Sequence, residues 1–320
     1  MHEPAPAEND GFDFEAAVVA PFRMRPGLRR LAPLRRVLHE LDPRGAVFAE
    51  KLGVLAEHAD AALVGLEGSA AWPALRDFVA QAADAGAPGL QLDGERVRAA
   101  SIGWGVDAAG ALEAGVKPHA AAGRCLAALP PARRLAGLLA LTLHEDLALV
   151  EGRGATMSWM AVCLPSHWSP AEKVGRPFAA VHHPVPDNAT LIAAAEHLCR
   201  LVCEPQRWER FVWNLTPHAG FDQHPQRHPR MPWPRDAAGV VAQAHWRTEH
   251  QSFVPLPALK QAMFTIHVEV VPLARAITTP ARAARLHAAL ASMSDPVLAY
   301  RGLVDARAAL LDWLAARAAR

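Results

Sequence analysis

Residues 245–272, HWRTEHQSFVPLPALKQAMFTIHVEVVP, decide the fold. They hold two runs rich in β-branched and aromatic residues, His245–Leu256 and Ala262–Pro272, around a proline-containing break, which is how two neighbouring strands read. Working outward, Asp146–Glu151, Thr156–Cys163 and Arg210–Leu215 have the same partial alternation. Gly152-Arg153-Gly154 stands where a hairpin turn would join the first two. Five strands without parallel crossovers predict an α+β fold with one antiparallel sheet of about five strands, the PAS-like plan, and a helix from Thr190 to Cys203 inserted after the second strand. On the strand His245–Leu256, alternation sets Arg247, Glu249 and Gln251 on one face and Thr248 and His250 on the other. Three long polar side chains on one face of a central strand predict either contact with solvent or a polar pocket.

The flanks read differently. Residues 1–12 are polar and aperiodic and read as a disordered tail. Residues 13–145 form a helical region, with an extended segment at Pro21–Leu28, helical patterns near 47–65, 71–84 and 131–143, and an ambiguous stretch at Ile102–Val106. Residues 146–275 form the α+β domain. Residues 276–320 return to amphipathic helix with a break at Ser294-Asp295-Pro296.

The stretch Cys163–Asn188, CLPSHWSPAEKVGRPFAAVHHPVPDN, is the least generic in the chain. Ser169-Pro170-Ala171-Glu172 has the form of a capping box, and Gly175 can end the turn it starts. The prolines of Val181-His182-His183-Pro184-Val185-Pro186 predict an extended segment that sends the two imidazoles to opposite sides. Asp187 or Asn188 is then expected to cap the helix that follows. A neutral imidazole on a stiff segment can ligate iron or zinc. A second cluster, His218, His224 and His228, matches no standard zinc spacing but offers a metal-binding alternative.

Composition narrows the function. With 33 basic and 32 acidic residues the net charge is +1, which gives no case for nucleic acid. No run is long and apolar enough for a membrane helix, and the acidic N-terminus is unlike a secretory signal. Four cysteines are too few for a disulfide framework, so a reducing cytoplasm is the expected location. Sixteen histidines and nine tryptophans, against one tyrosine, gather mostly between residues 144 and 267 and point to a site there.

Taken together, LPSHWSPAEKVGRPFAAVHHPVP, RTEHQSFVPLP and MFTIHVEVVPL, with PFRMRPGLRRL and HEDLALV upstream, resemble the haem-dependent oxidative N-demethylase alpha-subunit-like family. The resemblance implies a PAS-like domain binding haem b and oxidative removal of a methyl group from a small secondary amine, with release of formaldehyde. O2 would be the oxidant, and a separate flavin and iron–sulfur reductase component would supply electrons. By position, the family histidine before Pro-Val-Pro falls on His182, the iron ligand, with His183 beside it. The R-x-E-x-Q pattern falls on Arg247, Glu249 and Gln251. Glu249 would then anchor the amine, while Arg247, Lys173 and Arg176 are propionate partners. His267, Glu269 and Asp187 depart from the family pattern. A non-catalytic haem module, sensing gas or redox state, is the alternative on the same ligand.

Overall fold

The computed structural model describes residues 12–32 and 35–320, so the expected tail lies outside the described residues except for Phe12. Phe12 packs edge-on against Phe211, with ring centroids 5.4 Å apart.

Two antiparallel sheets carry the fold. The four-stranded sheet is a meander of β3 (Leu90–Asp93), β4 (Arg96–Ala99), β5 (Trp104–Asp107) and β6 (Leu112–Ala114). The seven-stranded sheet has the order β1-β9-β10-β11-β7-β8-β2. Its strands are β1 (Arg29–Arg30), β2 (Leu63–Gly65), β7 (Asp146–Glu151), β8 (Met157–Ala161), β9 (Trp208–Thr216), β10 (His245–Leu256) and β11 (Gln261–Pro272). The α+β class and all five expected strands are present and adjacent. The five-stranded PAS-like plan is not: two short edge strands extend the sheet to seven, and a second sheet lies within the region expected to be helical. The meander escapes periodicity because its strands are only three or four residues long. Its outer face is bound by ion pairs from Arg96 and Arg98 to Glu113, which only the folded register brings together.

β10 and β11 pair over their full length, with His250 opposite His267 and Phe253 opposite Phe264. Lys260, in the left-handed region at φ 55°, closes the connection between them. β9 and β8 lie towards opposite sides of this sheet. The chain that joins them, residues 162–207, must therefore cross a face of the sheet, and that crossing roofs a cavity. The other face packs on the N-terminal helices: Leu147, Leu149 and Trp159 share one buried cluster with Leu38, Phe48 and Phe78. The C-terminal helices Pro280–Ala291, Asp295–Arg301 and Arg307–Ala318 bury Leu286, Leu290 and Leu310 with Trp213 and Trp246. The expected break falls at Ser294, where a helix ends shortly before Asp295-Pro296 opens the next.

The edge strand β1 is tied down by charge. Glu209, buried on β9, accepts a bond from Arg29 Nε at 2.9 Å, pairs with Arg35 at 3.4 Å, and lies 2.7 Å from His250 Nε2. Burial by itself would raise its carboxyl pKa, but the His250 bond and the charges of Arg35 and Arg29 outweigh burial and leave it lowered. A carboxyl lowered on folding contributes stability above its unfolded value of about 4.5 that is lost as pH falls through the folded value. Glu209→Gln should therefore destabilise the protein at pH 7, and the gap to wild type should shrink on acidification below about 4.5. Urea denaturation at the two pH values measures this; a gap independent of pH would assign the loss to packing.

Candidate functional site

The cavity has a volume of about 560 Å³. Its floor is one face of the large sheet: Arg210 and Val212 of β9, Glu249, Gln251 and Phe253 of β10, Phe264 and Ile266 of β11, and Ala148 and Val150 of β7. The roof comes from the crossing chain, including Ser166, His167, Lys173, Phe178 and His182. The extended segment Phe22–Arg29 supplies a third wall.

The crossing chain departs from expectation at its centre. Residues Phe178–His182 are helical, not extended. Proline restricts chiefly its own donor and its immediate predecessor, so Pro184 leaves residues up to His182 free to form a turn. Pro177, at the N-cap position, needs no donor there. His183 is αR (φ −56°, ψ −38°) in spite of the proline after it, and it closes the helix. Asn188 does not cap the next helix with its side chain. Its Nδ2 donates instead to the carbonyls of His182 and His183, at 3.0 and 2.9 Å, and so satisfies groups that the ended helix leaves open. Ser169 likewise makes no side-chain cap and starts only a 3₁₀ turn, Pro170–Glu172. Gly175, at φ 73°, does adopt the left-handed conformation, but the turn has already ended at Lys173, and the glycine N–H bonds the Met157 carbonyl.

His182 lines the cavity. Its Nδ1 lies 2.8 Å from the Phe178 carbonyl, and its ring stacks on Phe178 with centroids 3.9 Å apart. A carbonyl only accepts, so Nδ1 carries the proton and Nε2 keeps its lone pair. Burial pushes the imidazole pKa down to about 4, so it is neutral at physiological pH. His183 is exposed and does not line the cavity. Lys173 lines it, with Nζ 5.2 Å from the centre of the Trp168 ring; Arg176 is exposed and points its guanidinium at the Glu172 carbonyl.

Arg247 is 2 % exposed, and its donors are engaged by protein. Nε donates to Ser166 Oγ at 2.8 Å, Nη1 to the Phe221 carbonyl at 2.8 Å and Nη2 to the Leu164 carbonyl at 2.9 Å. Burial lowers its pKa to about 10, so it remains cationic at neutral pH. Ser166 passes the interaction on by donating to Glu249 Oε1. Gln251 Nε2 donates to Glu249 Oε2 at 2.5 Å. Arg247, Glu249 and Gln251 thus form one network, in which the arginine holds the loops and the carboxylate faces the cavity.

Three wall residues escaped the sequence reading. Arg210 sits opposite Gln251 on β9, and its buried Nε has no hydrogen-bond partner among the described residues. Arg301 reaches the cavity from the C-terminal helices, where its Nη1 donates to the Trp213 carbonyl at 2.6 Å. His167, in the left-handed region at φ 59°, has an unpartnered buried Nδ1 and a pKa pushed by burial down to about 4. Alternation on β9 is the signal for Arg210; Arg301 and His167 left none. Among the described residues, eight lysine and arginine side chains and one carboxylate, Glu249, line this cavity.

The other histidines lie elsewhere. Nδ1 of His218 and of His224 each accept a backbone N–H within their own loop, from Gly220 and Gln226, and the three loop histidines do not converge as a ligand set among the described residues. His267 and Glu269, where the chain departs from the family pattern, are outside the cavity wall. No helix among the described residues is long and apolar enough to cross a membrane.

Fold and cavity together define an α+β protein with a basic, partly apolar pocket and two neutral histidines on its roof. His182 has Nδ1 engaged by a backbone carbonyl, and His167 has a buried Nδ1 without a hydrogen-bond partner among the described residues. The family model for haem-dependent oxidative N-demethylase, alpha subunit-like, matches residues 123–311, and the chain belongs to that family.

Removing the guanidinium would leave two carbonyls and a hydroxyl without their donor. Arg247→Ala should cost about 3–5 kcal/mol of unfolding free energy. The change in urea midpoint measures it; a loss under about 1 kcal/mol would mean that solvent replaces those bonds.

Proposed function

We propose that this chain binds haem b through Nε2 of His182 and is the haem component of an oxidative N-demethylase for a small secondary amine, releasing formaldehyde. The observation that carries the reading is the paired chemistry of the cavity. One imidazole is fixed as a lone-pair donor by the Phe178 carbonyl. A buried Arg210 Nε on the same wall has no partner among the described residues. An anionic, largely apolar macrocycle with one open metal position fits both. Arg210, Lys173 and Arg301 would receive the propionates, while Arg176 is turned outwards and Arg247 is engaged with the loops.

When bound, the haem supplies O2 activation. The protein supplies the rest. Nδ1 of His182 holds the ring to the backbone and fixes its tautomer. Phe253, Phe264 and Ile266 exclude water from the floor. Glu249, polarised by Ser166 and Gln251, is the one carboxylate on the wall among the described residues and holds the substrate ammonium. Electrons come from a separate flavin and iron–sulfur component, consistent with a subunit of a larger enzyme.

Two experiments test this. His182→Ala should abolish or strongly weaken the Soret band of protein loaded with haem, while His183→Ala keeps it. An unchanged band in the His182 variant removes the assignment, and loss in His167→Ala alone would move the ligand to that residue. At equal haem loading, Glu249→Gln should weaken the amine-induced spectral change by roughly one to two decades in affinity, since a charge-assisted hydrogen bond is worth about 1.5–3 kcal/mol. Equal affinities would exclude Glu249 as the anchor. A loaded wild type that gives no formaldehyde from any amine, with O2 and an artificial reductant, would make the site one for sensing.

A further inference from the structure

On the face of the large sheet away from the cavity, three imidazoles surround one buried carboxylate. Glu145 is completely buried just before β7. Its Oε1 lies 2.7 Å from His39 Nδ1 and 2.8 Å from His267 Nδ1, and its Oε2 accepts the His39 backbone N–H at 3.0 Å. The His144 ring packs on His267 with centroids 4.0 Å apart, and the His39 ring is 4.6 Å from it. One ligand atom from each of His39, Glu145 and His267 falls within 4.8 Å of the others.

We propose that His39, Glu145 and His267 form a binding site for a divalent first-row transition ion, zinc or ferrous iron, separate from the cavity. Two imidazoles and one carboxylate, with positions left open, are the donor set such ions take. Around an ion with bonds of about 2.0–2.2 Å the donor atoms would stand roughly 3–3.5 Å apart, so each ring would retreat from the carboxylate by about half an ångström, and the two ring nitrogens, no more than 4.8 Å apart, would settle at the same spacing. The backbone holds the ligands in place. His39 O accepts the His144 N–H at 2.8 Å, Glu40 bridges Leu143, and His267 lies within β11.

Neighbouring groups are arranged to support the ion. An imidazole that ligates through Nδ1 moves its proton to Nε2, and His267 Nε2 lies 3.9 Å from Glu269 Oε1, a carboxylate able to take that hydrogen bond with a small shift. His144 donates its Nε2 proton to the Val268 carbonyl at 3.0 Å, which holds its ring against His267. Access is open, since His39 is 31 % exposed and Glu269 30 %. Hydrogen bonds alone would also satisfy Glu145. A single cation would serve the two rings and the carboxylate at once. The ion would tie the segment at His39 to the start of β7 and to β11, joining the N-terminal region to the sheet.

Calorimetric titration of the chelator-treated, haem-loaded protein with zinc chloride tests the site. One equivalent should bind, and His39→Ala and His267→Ala should each weaken it by at least one to two decades. His183→Ala and His218→Ala should leave it unchanged. Zinc should raise the Tm of the wild type and not of the His39 variant. His39 is part-exposed, so its variant is expected to fold, as the far-ultraviolet spectrum will show; that keeps the test decisive if the His267 variant does not. Absence of saturable binding, or binding untouched by the His39 substitution, overturns the proposal. The haem spectrum is a separate readout, so failure here leaves the His182 assignment standing, and the converse.

Discussion

The arrangement of this protein depends on one buried cation. Arg247 stands near the middle of the seven-stranded sheet and binds the carbonyls of Leu164 and Phe221 together with the hydroxyl of Ser166. It gathers two loops that have no regular structure of their own onto β10. A second buried pair prepares one of them: Lys51 Nζ lies 3.2 Å from Asp146 Oδ1, and Asp146 accepts the backbone N–H groups of Cys163 and Leu164 at 3.0 and 2.7 Å. Charges buried this deeply are tolerable only when every lone pair and proton is matched. The loop that carries Ser166, His167 and Lys173 over the cavity is fixed for that reason.

The sheet then separates two kinds of chemistry. Because successive side chains alternate, β10 shows Glu249 and Gln251 to the cavity and His250 to the other side, and β11 shows Ile266 to the cavity and His267 away from it. The cavity side mixes apolar floor residues such as Phe253, Phe264 and Ile266 with basic groups, which suits an anionic cofactor. The far side gathers imidazoles around carboxylates. The departures at His267 and Glu269 thus leave the cavity wall untouched. They fall where a second group of ligands has formed.

Wherever local chemistry dominates, the sequence is a sound guide. β10 and β11 are long, rich in β-branched and aromatic residues, and close in the chain, and both lie where their alternation places them. Gly175 and the Asp295-Pro296 pair do what their backbones dictate. The R-x-E-x-Q pattern put three side chains on one face, and the fold does turn that face to a pocket. The segment around His182 misled because its prolines were read as forbidding helix upstream of them, when a single turn ending at His183 needs none of the donors they lack. The β3–β6 meander was hidden because a three-residue strand has too few alternations to show a period.

What the sequence determined alone was the α+β class, the central hairpin and the shared face of Arg247, Glu249 and Gln251, because these rest on neighbours within a few residues. Tertiary structure decided the rest: the seven-stranded order, the orphaned Arg210, the arrival of Arg301 from the C-terminal helices, and the meeting of Glu145 with His39 and His267, which lie 106 and 122 residues away. No local propensity encodes such contacts. They exist because one sheet must bury both of its faces, and the segments that cover those faces come from the N-terminal region, from residues 162–207 and from the C-terminal helices.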